Sequence, residues 1–149
     1  GLPVKAQDPW SINVFVKTDH QPENRTIIAG FGKCEDGTVG AARYLSKFAG
    51  GVHFWSSNRD VPTRTPLALN TWQMLTATYD GTTLRVYQDG KPIGDRAVAL
   101  ADDENMIQIM PKDPWEQKRQ FEGEVRDFTV WGSALSEDAI KSLLGSMPK

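Results

Sequence analysis

Hydrophobic and polar residues alternate along most of the chain. Over residues 10–17, Trp10, Ile12, Val14 and Val16 fall on one side and Ser11, Asn13 and Lys17 on the other, the period-two signature of a half-buried strand. Residues 26–32 (TIIAGFG) predict a second strand, with Gly30 and Gly32 marking a bulge or bend. GAARYL, SKFAGG and VHFWSS, residues 40–57, read as strand, turn and strand. Residues 72–79 (WQMLTATY) pair naturally with 84–89 (LRVYQD), MIQIM at 106–110 alternates again, and GEVRDFTVW at 123–131 predicts the last strand. Turn residues recur about every eight to twelve positions, the rhythm of a β-sandwich or barrel. Longer loops are expected at 18–25, 56–70, 91–105 and 111–120.

One segment reads as a helix, 137–144. Ser136 suits the N-cap, and Glu137 and Asp138 favour the positive end of the helix dipole. Leu135 and Ile140 are spaced for a hydrophobic staple, and Gly145 can close the C-terminus in the left-handed conformation.

Composition narrows the function classes. The chain has 149 residues, enough for one domain, and no run of about 18 apolar residues to span a membrane. Seventeen basic against nineteen acidic residues leave a net charge of −2, which argues against a polyanion such as nucleic acid as partner. Cys34 is the only cysteine, so no internal disulfide and no thiolate metal cluster can form. The chain opens Gly1-Leu2-Pro3, as a processed or excised piece would, so a missing targeting segment carries no information.

Two Asp-Gly pairs, Asp80-Gly81 and Asp89-Gly90, bracket the run 84–89. The first opens a four-residue connection; the second ends a strand before Pro92, which cannot donate a ladder hydrogen bond. A hard cation needs six or more oxygens, and carboxylates at opposite ends of a strand cannot converge on one. Turn chemistry is expected of both.

TWQMLTATYDGTTLRVYQDGKPI followed by FEGEVRDFTVWGSALSEDAI resembles the laminin G-like jelly roll of the concanavalin A-like lectin/glucanase superfamily. Trp72, Tyr79-Asp80-Gly81, Tyr87, Asp89-Gly90, Phe121, Gly123, Trp131 and Ala134-Leu135-Ser136 occupy the positions that carry the likeness. It covers about residues 8–144 of a single domain spanning 1–149. It implies an all-β, two-sheet antiparallel jelly-roll sandwich with one short C-terminal helix. It also implies an extracytoplasmic setting (secreted, periplasmic or cell-surface), often as an accessory domain in a larger bacterial protein. The last strand departs from the family's Ile-Asp-Glu-Val, reading Val125-Arg126-Asp127-Phe128. Arg126 removes a carboxylate on which a cation site would depend.

Trp10, Trp72 and Trp131 fall at strand positions directed toward the core, whereas Trp55 and Trp115 lie outside the shared pattern. Trp115, in MPKDPWEQKRQ between Pro111 and Pro114, suits a platform for the apolar face of a sugar. The alternative is a ring folded over the sheet edge. On an extended strand His53 and Trp55 share a face opposite Phe54, with Arg59, Asp60 and Arg64 close in sequence and Tyr44 on the preceding strand. An aromatic ring that orients a sugar and polar groups that discriminate among hydroxyls make Tyr44, His53, Trp55, Arg59, Asp60, Arg64 and Trp115 the expected ligand-binding set. The alternative is a loop pinned by its own ion pairs.

Catalysis is not expected. Glycosidases flank the bond with two carboxyl groups. Glu122 and Glu124 share a strand face, but Asp127 has the opposite parity, so the three read as a solvated edge. No Ser-His-Asp spacing and no paired-histidine metal motif is present. The run Asp102-Asp103-Glu104-Asn105 carries oxygen ligands suited to calcium without a clear ligand set, and no cofactor is expected. The sequence therefore predicts a non-catalytic recognition module whose partner is carbohydrate, bound on the concave sheet or its rim loops. A protein adhesion or domain-packing module and a glycoside hydrolase are the alternatives.

Overall fold

The computed structural model describes the whole chain except residues 22–23, 35–37, 103–104 and 117. Ten strands build two antiparallel five-stranded sheets. They are β1 (Trp10–Lys17), β2 (Thr26–Phe31), β3 (Arg43–Phe48), β4 (Gly51–Trp55), β5 (Val61–Pro62), β6 (Gln73–Tyr79), β7 (Thr83–Gln88), β8 (Lys91–Ala97), β9 (Ile107–Ile109) and β10 (Glu124–Trp131). The first sheet runs β10-β1-β6-β7-β8 and the second β5-β4-β3-β2-β9. This is the two-sheet jelly-roll sandwich that the alternation and the resemblance predict.

The alternation of β1 sends Trp10, Ile12, Val14 and Val16 inward, all fully buried. Leu75, Ala77, Tyr79, Leu84 and Val86 join them from the same sheet; Ile28, Phe31, Leu45, Val52 and Phe54 close the core from the other. Trp10 is the centrepiece. Its ring stacks on Phe54 at 5.7 Å, meets Phe31 edge-on at 5.6 Å and lies 6.1 Å from Tyr79, the offset and perpendicular arrangements that aromatic quadrupoles favour.

Both Asp-Gly pairs are turns. Asp80 Oδ1 accepts hydrogen bonds from the amides of Thr82 and Thr83, at 2.9 and 2.8 Å, and Oδ2 from the Arg85 guanidinium at 2.7 Å. These bonds to the charged form hold the Asp80 carboxyl far below the usual carboxylate range, the Arg85 contact contributing most. Asp89 and Gly90, at φ 51° and 78°, make a two-residue hairpin turn between Gln88 and Lys91. Half of the expected loop 91–105 is therefore the edge strand β8. Its polar sequence KPIGDRA shows no alternation because it is largely exposed, and an edge position tolerates Pro92.

The expected core positions of Trp72 and Trp131 are corrected. β10 carries a bulge around Asp127, at φ 53°, and the register with β1 shifts between Asn13 and Phe15. One extra residue reverses parity along the rest of the strand. Val125 pairs with Val16 and Val130 with Ile12, so Trp131 pairs with outward-facing Ser11 instead of pointing into the core. Trp72 is likewise half-buried, packed on an outer cluster of Phe15, Met74, Tyr87 and Ile140, with the Arg126 guanidinium 5.3 Å from its ring.

That outer cluster is covered by helix α1 (Glu137–Ser142). Ser136 Oγ caps it by accepting from the Ala139 amide at 3.1 Å, and Ile140 is fully buried beneath it with Leu135 alongside. Gly145 does not close the helix in the left-handed region; the chain continues as a 3-10 turn, Leu143–Ser146. No helix among the described residues is long and apolar enough to cross a membrane.

Candidate functional site

Helix α1 packs on the outer face of the first sheet over Phe15, Met74 and Tyr87; the expected ligand-binding residues of β3 and β4 lie on the outer face of the second sheet. The alternation of β4 places Phe54 in the core and turns His53 and Trp55 outward together, as expected. Across the hairpin Tyr44 pairs with Trp55 and Ser46 with His53. Gly30 of β2 lies opposite Tyr44. A Cβ there would sit 2.6 Å from the tyrosine ring, so only glycine lets Tyr44 lie across β2. The Tyr44 hydroxyl donates to the Gly32 carbonyl, and burial pushes its phenol above the ordinary range.

Tyr44 and Trp55 stack at 5.8 Å, but neither is an open platform. Tyr44 is fully buried and Trp55 is 4% exposed. The expectation that Trp55 stands free for a ligand is corrected, because the Arg25 guanidinium and the Trp115 ring cover it. Arg25 lies 4.7 Å from the centroids of both indoles, and Trp115 meets Trp55 edge-on at 5.8 Å. Facing two π-clouds, the cation gains from both quadrupoles. Trp115 itself remains 51% exposed.

Asp113 organises this cover. Its Oδ2 accepts from Arg25 Nε at 3.1 Å and Nη2 at 2.7 Å, and its Oδ1 from the amides of Trp115 and Glu116 at 3.0 and 3.1 Å. The second pair is an Asx turn, in which the side chain substitutes for a backbone acceptor. One carboxylate thus fixes both the loop backbone under Trp115 and the cation beside it. Its side chain is completely buried, and that of Arg25 is 15% exposed. Burial pushes the Asp113 carboxyl up, but Arg25 and the two amides outweigh burial and leave it below its ordinary value.

A pH dependence follows. A carboxyl held below its unfolded value stabilises the fold above that unfolded value, near 4, and the stabilisation is lost as the pH falls through the folded value. Acrylamide quenching should therefore show the buried Trp55 becoming accessible below about pH 4, before or with global unfolding. An Asp113→Asn variant should lose this step.

Beside the cover lies a cleft of about 310 Å³, lined by Gly32, Lys33, Cys34, Gln108, Lys112 and Pro114 among others. Gln108 pairs with Gly30 on β9 and so faces the same side as Tyr44. Pro114, on the cleft wall, immediately precedes Trp115.

The other expected residues are placed apart from this cleft or already engaged. His53 Nε2 and Asp60 Oδ2 are 2.8 Å apart, and Asp60 Oδ1 accepts the Ser56 amide at 2.8 Å. Phe48, 43% exposed, flanks His53. Arg59 donates to the Ala99 carbonyl, and Arg64 is exposed beyond β5. The structure therefore unites Tyr44, Trp55 and Trp115, sets His53 and Asp60 next to them, and leaves Arg59 and Arg64 on the surrounding segments.

Sequence reasoning missed Arg25, Asp113, Lys33, Gln108 and Lys112. Asp113 had a signal, an Asx-turn residue directly before Pro-Trp. Arg25 had none, its partner being 88 residues away.

Glu122 and Glu124 line a depression with Lys17, Asp19 and Asn70, whereas Asp127 lines a different one with Asn13, Phe15 and Phe128. The three acids do not form one cluster. Among the described residues no group of three or more His, Cys, Asp or Glu is placed to hold a metal ion; Asp103 and Glu104 of the run at 102–105 lie outside the described residues.

Among solved structures the chain is similar to domain 4 of AbnA, a GH43 extracellular arabinanase from Geobacillus stearothermophilus, in complex with arabinotriose. The identity is 16%, the TM-score 0.75, and the match covers 95% of this chain and 68% of that one. It is also similar to the binding domain of botulinum neurotoxin DC in complex with SialylT, at 14% identity and a TM-score of 0.64, over 94% of this chain and 36% of that one. The binding domain of botulinum neurotoxin serotype D matches at 12% identity and a TM-score of 0.64, over 98% and 38%. The chain thus spans about two thirds of the arabinanase domain chain and little more than a third of the toxin chains. No curated protein matches it significantly. A laminin G family model matches residues 2–141, and the chain belongs to the concanavalin A-like lectin/glucanases superfamily.

Proposed function

We propose that this domain is a non-catalytic carbohydrate-recognition module working in an extracytoplasmic setting. One observation carries the reading. The Trp115 indole is half exposed, yet its backbone is pinned by an Asx turn and its ring is braced by Arg25 and Trp55. An aromatic plane that is both solvent-facing and already ordered loses little entropy when a sugar ring stacks on it. Gln108 and the neighbouring cleft supply hydrogen-bonding groups, while Tyr44 and Trp55 form the floor that sets the height of Trp115. The glycans in the structures of the arabinanase domain and the toxin binding domain support the same partner class.

Glycan-array screening of the wild type and of Trp115→Ala tests this reading. Truncating a central tryptophan anchor costs about 2 kcal/mol, roughly a 30-fold loss of affinity. Unchanged glycan binding by the variant would remove Trp115 from the site.

A second reading rests on the edge strand β9. Met106, Ile107 and Ile109 are 57%, 48% and 42% exposed, an apolar strip beside an unpaired strand edge that would suit a protein partner. An Ile107→Lys change should leave glycan binding intact if the carbohydrate reading is correct.

A further inference from the structure

We infer that the sugar recognised beside Trp115 carries a negative charge, a carboxylate or a sulfate. The inference rests on the carbohydrate reading and goes further by naming the ligand class. Lys33, from the chain leaving β2, and Lys112, from the segment that carries Trp115, line the same cleft of about 310 Å³. No carboxylate is among its described lining residues; Glu35 and Asp36, next after Cys34, lie outside the described residues. Asp113, the acid adjacent to Lys112, is buried and spent on Arg25 and on the two loop amides.

The rest of the loop leans the same way, with Lys118 and Arg119 against Glu116. A chain of net charge −2 thus places two lysines on the cleft that adjoins the loop of its exposed indole. Two lysines lining one cleft offer point-charge donors to the oxygens of a carboxylate or sulfate, and such charge-assisted bonds are about twice as strong as neutral ones. Gln108, which lines the same cleft, is both donor and acceptor and fits a sugar hydroxyl. The division of labour is clear. Trp115 takes the apolar face of a ring, the lysines take the anionic substituent, and Gln108 fixes orientation.

Calorimetric titration tests this with three probes of equal length: an oligogalacturonate, a neutral galacto-oligosaccharide and a sulfated galacto-oligosaccharide. At least one charged oligomer should bind about tenfold more tightly than the neutral one, and whichever does so names the substituent. The K33Q/K112Q variant, checked for native circular dichroism, should bring that ratio close to one. Raising the salt from about 0.05 to 0.5 M should do the same, since a cleft open to water is screened. Equal affinity for charged and neutral probes, or a preference that survives in K33Q/K112Q, would overturn the inference. If the neutral probe binds and Trp115→Ala abolishes that binding while no charge preference exists, the carbohydrate reading stands and this inference alone fails. If no oligosaccharide binds, both fail.

Discussion

Arg25→Ala is expected to destabilise the domain by about 3–5 kcal/mol, the usual result of leaving one partner of a buried ion pair alone. The Asp113 carboxylate, completely buried in the intact domain, would keep its Oδ1 on the Trp115 and Glu116 amides but lose both guanidinium bonds to its Oδ2. The two indoles would lose the cation that lies 4.7 Å from each. Urea denaturation should register the loss, and near-ultraviolet circular dichroism should show a weakened Trp55–Trp115 signal. Arg25→Lys should rescue only part of it, because an ammonium cannot make the two bonds to one carboxylate oxygen while lying flat between two rings. A surface-only role for Arg25 predicts a change below about 0.5 kcal/mol in both variants.

The second large effect belongs to the core. Trp10→Ala should cost about 3–5 kcal/mol, a major share of the 5–15 kcal/mol of a typical domain. The indole is fully buried between Phe31, Phe54 and Tyr79, three residues drawn from β2, β4 and β6. Backbone ladders hold those strands apart, so the cavity cannot collapse. Buried Arg43 makes matters worse. Its guanidinium lies 6.0 Å from the Trp10 ring and is held by the carbonyls of Ala6, Ala41 and Ala101, and burial already lowers its pKa to about 10. The urea midpoint should fall by about 2 M. Trp10→Phe should be milder, since it keeps a ring and removes an indole N–H that has no acceptor among the described residues.

Strands whose two faces meet different surroundings were legible in the sequence. The alternation of 10–17 gave the strand position and its inward face, because one side meets the core and the other does not. That of 72–79 gave the strand position, but the core takes Leu75, Ala77 and Tyr79 and leaves Trp72 on the outer side. The shared face of His53 and Trp55 followed from the same period. β8 was read as loop because an edge strand that is mostly exposed, with only Ile93 packed against the core, needs no alternation. Trp131 was assigned to the wrong side because a bulge at Asp127, which no residue type announces, reverses parity. The prolines and polar neighbours of Trp115 allowed either an exposed platform or a ring folded over the sheet edge, and its 51% exposure came from the structure. The cover over Trp55 was not, because it depends on an ion pair between residues that only the tertiary fold brings together. That cover decides which tryptophan is available, so the candidate site moved from the 53–64 segment to the loop 111–120 and its cleft.

The availability of Trp115 can be watched one indole at a time. Five tryptophans give five indole N–H signals in a proton–nitrogen correlation spectrum, assignable by single Trp→Phe changes. On titration with a glycan selected from the array, the Trp115 signal should shift in step with occupancy, with Trp55 following weakly and Trp10 unmoved. A static Trp115 signal, with Trp72 or Trp131 shifting instead, would place the ligand on the opposite sheet and contradict the assignment of Trp115 as the sugar platform.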